Sequence, residues 1–155
     1  LTRYQLSDSQ IDLIWKYIGG SMWEISSLLG ELIGCSKNNK ISNNKLNDKI
    51  QKMIDENCGR FTHYARLNKS KILLLKEIYI ISKQKDCFKA IDLKSLIYNK
   101  VYEDSTLSEE LNRLVQSNYL AFHPTISNYQ LQGKIMFYGL QQFVKSIPED
   151  FLARI

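Results

Sequence analysis

The apolar residues of the C-terminal half change their spacing once and then change it back, and few folds accommodate that order. Ile72, Leu73, Leu75, Ile78, Tyr79 and Ile81 describe a helix, starting near Ser70, that is buried over a wide face. A short link containing Phe88 leads to a second helical stretch over 92–100, carrying Leu93, Leu96 and Ile97. A third begins at Thr106, with Glu109 three residues on as a capping box. It sets Leu107, Leu111, Leu114 and Val115 on one face. Residues 119–123 (Tyr-Leu-Ala-Phe-His) then read as a strand, 124–128 as a turn opened by Pro124, and 129–132 as the return strand. Helical spacing resumes in Ile135, Met136, Leu140, Phe143 and Val144 and stops before Pro148.

Helix, helix, helix, hairpin, helix is the element order of a winged helix. The third helix takes the place of the recognition helix, and 119–132 that of the wing. The first half is helical throughout. Ser7 and Gln10 have capping-box spacing, and Ile11, Ile14, Trp15 and Ile18 follow on one face. Gly19-Gly20 stops that helix, because glycine adopts left-handed backbone angles at little steric cost. Ser21 and Glu24 repeat the capping signature ahead of Ile25, Leu28, Leu29, Leu32 and Ile33, which makes an αα-hairpin. Residues 35–44 form a polar loop. A helix resumes near Lys45 with Leu46, Ile50, Met53 and Ile54 as its buried stripe. Gly59 is expected to end or kink it, and Phe61, Tyr64 and Leu67 continue the pattern.

Charge narrows the functional classes. The net +5 is unevenly spread: residues 66–100 carry +6, whereas 101–118 carry −3. A local basic block is what a phosphate-contacting face needs, and it is also what a solvated lysine-rich surface gives. Lys69, Lys71, Lys76, Lys83, Lys85, Lys89, Lys94 and Lys100 belong to that block and could hold a nucleic-acid backbone without reading sequence. On the third helix, Ser105, Ser108, Glu109, Asn112, Arg113 and Gln116 should face outwards. Asn112, Arg113 and Gln116 have the donors that adenine and guanine edges require. Ser108, Asn112, Arg113 and Gln116, with Lys94 and Lys100, are therefore the candidate DNA-binding residues. Glu103, Asp104, Glu109 and Glu110 oppose phosphate at the same place, which keeps a protein partner as the alternative.

Chemistry of other kinds finds few footholds. Cys35, Cys58 and Cys87 lack any CxxC spacing, and with His63 and His123 standing alone no metal site is expected. Asp8 and Asp12 share a helix face, but on an exposed first turn where they favour the helix dipole. No GxSxG elbow and no GxxxxGK[ST] phosphate loop occurs, so no catalysis is expected in this chain. No apolar run approaches the roughly 20 residues needed to span a bilayer, and a cytoplasmic protein without a membrane partner is expected.

The run from Ile11 through Gly19-Gly20-Ser21-Met22 to Ile25 resembles the segment that follows the nucleotide-binding core in archaeal P-loop ATPases of the signal-transducing (STAND, AAA-related) type. In that family a helix ends in Gly-Gly near the bound nucleotide, and a helical lid and a winged helix come next. Gly19 and Gly20 match the glycine pair and Ser21 the variable residue after it, which the resemblance makes nucleotide-proximal in the parent protein. The family commonly has proline next, where this chain has Met22. The resemblance implies a mostly α fold, with a lid-like helical region over 1–67 followed by a winged-helix domain over 68–155. It also implies an ATPase core upstream of Leu1 that binds ATP and magnesium, and a region that couples nucleotide state to DNA or to another protein. A stand-alone winged-helix transcription regulator is the alternative, and a winged-helix module for protein interaction is another.

Overall fold

A computed structural model describes residues 6–34 and 40–150. Residues 35–39, the first half of the polar loop and Cys35 with it, lie outside the described residues. The chain is mostly helical, with one small antiparallel sheet near its C-terminal end. Helix α1 (Asp8–Ile18) opens with the expected capping box: Gln10 N donates to Ser7 Oγ at 3.2 Å, and Ser7 N donates back to Gln10 Oε1 at 3.0 Å. The expected apolar face is shared differently. Ile14 and Ile18 are buried, while Ile11 and Trp15 are 48% and 60% exposed. Gln10 takes the inward position instead, because Nε2 donates to Ile41 O and to Asn43 Oδ1, both at 2.8 Å. A buried amide whose groups are all paired costs little.

Gly19 and Gly20 turn the chain into α2 (Met22–Ile33). Gly20 has φ +95°, the left-handed region that favours glycine. A side chain on Gly19 would collide with the Trp15 carbonyl and crowd Lys134 Nζ. Leu28 and Leu32 point inward from α2, and Ile33 is turned out.

Helix α3 (Asn43–Ala65) begins two residues before the expected Lys45 and runs unbroken through Gly59. Gly59 does not end it. No other atom approaches its outer face, and the flanking Ile54 and Phe61 are both held in the core. The helix stops only at Arg66 and Leu67, two successive non-glycine residues with φ of 42° and 60°. Leu67 is consequently 85% exposed and takes no part in the stripe expected of it.

Helix α4 (Lys69–Gln84) is capped by Asn68 Oδ1, which accepts from Lys71 N at 3.1 Å. Leu74 is fully buried where the reading by spacing placed Leu73. The expected helix over 92–100 is a 3₁₀ turn at Ala90–Leu93 followed by the short α5 (Lys94–Tyr98). Asp92 accounts for the tighter start: it accepts from Lys89 N at 2.8 Å and pairs with Lys85 at 3.1 Å, which holds its carboxyl below the usual range. Helix α6 (Asp104–Gln116) starts a residue pair earlier than expected. Thr106 sits inside the first turn, where Oγ1 accepts from Glu103 N and donates to Glu103 O, both at 3.0 Å.

Strands β1 (Leu120–His123) and β2 (Asn128–Leu131) pair in the register Leu120↔Leu131 to His123↔Asn128. Phe88 adds a single bridge to the far side of Tyr129. Helix α7 (Lys134–Ser146) closes the chain back over α3. The α3–α7 pair is the most extensive helix contact, and Gly139 makes it so. A Cβ there would lie 2.5 Å from Asn57 Cβ and 3.0 Å from the Cys58 amide.

Two hydrophobic clusters result. One is aliphatic and joins Ile14, Ile18, Leu28, Leu32, Ile41, Leu46, Ile50 and Ile54 to Ile135 of α7. The other lies under α4, α6 and the hairpin and includes Phe61, Tyr79, Phe88, Tyr119 and Phe143. Helices α3 and α7 contribute to both. Among the described residues no helix is long and apolar enough to cross a membrane.

Candidate nucleic-acid interface

Helix α6 is fixed by what it hides. Leu107, Leu111 and Leu114 are at most 2% exposed, which leaves Ser105, Ser108, Glu109, Asn112, Arg113 and Gln116 on the outer face. These are the residues expected there. Glu110 departs from the expectation that it would repel phosphate alongside Glu103, Asp104 and Glu109. It is 8% exposed, three residues from Leu107 and four from Leu114, and so lies on the inner side of the helix. Tyr64 of α3 donates its hydroxyl to Glu110 Oε2 at 2.6 Å, and Arg113 Nη1 donates to Oε1 at 2.6 Å. Burial, reinforced by that acceptor, pushes the Tyr64 hydroxyl well above the ordinary tyrosine range. One acid of four is thus taken out of the surface field. Arg113 keeps 62% of its side chain in solvent while held by the pair.

The remaining acids are exposed, Glu103 and Asp104 at the N-terminal end of α6 and Glu109 near its middle. Lys94 and Lys100 are exposed at the start of α5 and in the turn that follows it, where Lys100 has φ 57°. In the hairpin, His123 shares a hydrogen bond with Gln130 Oε1 at 3.1 Å, and Ile126 at the turn is 54% exposed.

The opposite end of α6 has a different character. A groove of about 320 Å³ is lined there by Arg60, His63, Tyr64, Arg66, Lys71, Ser117 and Tyr119. Arg60 and His63 stand one turn apart on α3, and Arg66 is its cap residue. His63 does not stand alone, as expected from sequence. Arg66 Nη2 lies 3.2 Å from its Nε2. Arg60 Nη2 donates to Ser117 O at 3.1 Å, and the same guanidinium lies 4.7 Å from the centre of the Tyr119 ring. Lys71 stands 4.9 Å over the Tyr64 ring. The three-residue spacing of Arg60, His63 and Arg66 is the signal in the sequence that points to this groove.

The turn that resembles a nucleotide-proximal element lies elsewhere. Of Gly19, Gly20 and Ser21, the first packs beside the start of α7, where Lys134 Nζ donates to Trp15 O at 3.3 Å, and Gly20 is open. Ser21 Oγ accepts from Glu24 N at 3.4 Å as the cap of α2. Glu24 Oε2 is buried without a hydrogen-bond partner among the described residues, and burial raises its pKa above the ordinary 4.5. The structure does not bring this turn together with the residues of α6. Among the described residues no group of three or more His, Cys, Asp or Glu gathers as metal ligands do.

No protein-family model matches the chain, and comparisons with curated proteins and with solved structures gave no match.

Proposed function

We propose that the chain is the non-catalytic C-terminal region of an archaeal-type P-loop ATPase, in which residues 68–155 form a winged helix that binds DNA. The exposed face of α6 is the observation that carries the reading. Leucines hold one side of the helix in the core, so that Ser108, Asn112, Arg113 and Gln116 stand together on the other. Those side chains supply donors suited to base edges in a major groove, and Lys94 and Lys100 flank them as backbone contacts. Glu110 and Arg113 form a pair of no net charge, and Arg113 keeps 62% of its side chain in solvent. The ATPase parentage rests on the Gly19-Gly20-Ser21 resemblance, and ATP with its magnesium belongs in this reading to a core outside the sequence.

Titration of labelled duplexes with the chain at two salt concentrations tests the reading. Binding is expected at low salt and is expected to weaken steeply with salt, each phosphate contact adding about −0.9 to the slope of log K against log salt. Absence of binding at low salt would remove DNA as the partner. Incubation with ATP is expected to give no turnover above a blank, since no phosphate loop is present.

A protein partner is the second reading, and one observation favours it. Met22 and Trp23 at the start of α2 are 75% and 79% exposed, and Ile11 and Trp15 on α1 are open as well. Exposed large apolar side chains, two tryptophans among them, are typical of protein contact sites.

A further inference from the structure

We infer that the groove at the α3–α4 corner is a phosphate clamp for a nucleic-acid backbone, distinct from the base-facing side of α6. Three cations, Arg60, Arg66 and Lys71, converge on it from two helices, and no carboxylate lines it. Among the described residues none of the three is paired with an acid. Glu110, which Tyr64 of the groove contacts from behind, has both oxygens engaged, by the Tyr64 hydroxyl and by Arg113. An arginine can only donate, so in the Arg66–His63 contact Nε2 is the acceptor.

The backbone presents this array. Arg66 and Leu67 both occupy the left-handed region, which is costly for non-glycine residues, and that conformation folds Arg66 back over His63. Arg60 is fixed at the Ser117 carbonyl through one nitrogen of a fork with five N–H groups. Tyr119 is too deeply buried to stack on a base, and the half-buried Tyr64 ring already carries Lys71 on its face at 4.9 Å. Charge and donors are the chemistry of phosphate, and position decides its source. Ser117 is the cap residue of α6 and Arg113 lies one turn before it, so a ligand on the outer face of α6 that continues past its C-terminal end meets the groove next. A duplex backbone has that length; a free anion does not. The inference rests on the reading of α6 as a DNA-facing helix.

Salt-dependent titration of a labelled duplex by the whole chain separates the two claims. In the Arg66→Gln, Lys71→Gln double variant, affinity at the lower salt is expected to fall about tenfold, and the salt slope to become shallower by about 1.8, two contacts' worth. The charge-keeping pair Arg66→Lys, Lys71→Arg is expected to retain the native slope, and thermal melts of both verify the fold. A native slope in the glutamine variant, with binding intact in the native chain, would overturn the clamp and leave the DNA reading standing. No binding by the native chain would overturn both. If amide signals of Arg60, His63 and Lys71 shift with pyrophosphate but not with duplex, the assignment to a nucleic-acid backbone is wrong.

Discussion

The two clusters of this molecule are built from different side chains, and the difference explains where polar chemistry collects. The buried members of the cluster under α1 and α2 are all isoleucine and leucine, with Tyr17 and Tyr138 packed against one another at its margin. The cluster under α4, α6 and the hairpin is held partly by rings. Tyr119 fills the interior, donates its hydroxyl to Arg60 O at 2.8 Å, and takes the Arg60 guanidinium on its face. Tyr64 does the same service for Glu110 and Lys71. A ring with a polar tip is core on one side and a mounting point on the other. The basic groove therefore borders the aromatic cluster, whereas the aliphatic one borders exposed tryptophans.

The largest test of that contrast removes one side chain from each cluster. Phe61→Ala should cost about 4 kcal/mol and Leu46→Ala about 3 kcal/mol, both positions being essentially inaccessible. If the shared helices make one cooperative unit, each variant will melt in a single transition. A separate early transition in Leu46→Ala alone would divide the molecule at the boundary between the clusters. Next in size is the seam between them. Gly139→Ala should cost about 3 kcal/mol by denaturant melt, because its methyl meets α3 backbone and not the end of a flexible side chain. A cost near zero would show that α7 can slide along α3.

A third variant acts within the aliphatic side only. Gly20→Val should cost about 2 kcal/mol through backbone strain, since no neighbour lies within reach of a side chain there. An unchanged melting temperature would mean the turn can adopt ordinary angles. The smallest effect concerns Glu24. Its folded pKa is raised above 4.5, so the folded state is favoured with the proton on, and that contribution is lost as pH rises through the raised value. Glu24→Gln should melt slightly higher than the native chain at neutral pH and equally below pH 4.5. A lower melt at neutral pH would reveal a partner for the carboxylate in solution.

What could be read from sequence was what is local. Ser7 and Gln10 are three residues apart, and their box formed as expected. The hairpin followed from alternation and from Pro124, within a residue at each end. What depended on distant partners was not legible. Ile41 sits in a polar stretch, and its burial is tied to Gln10, 31 residues away. Glu110 looked like one more surface acid until Tyr64, 46 residues earlier, supplied its donor. The basic residues of the groove all fall between residues 60 and 71, but Ser117 and Tyr119, which complete it, come from the end of α6 and beyond. Gly59 was misread because propensity is a weak prior once the residues either side of it are packed.

The unbroken path of α3 has a mechanical meaning. At 1.5 Å per residue its 23 residues make a rod of roughly 35 Å, clamped along one side by α7. One end carries the α1–α2 hairpin, and the other ends at Arg60, His63 and Arg66. There is no joint between them at which the ends could turn separately. The hairpin and the groove are therefore carried on one continuous helix, at opposite ends of it.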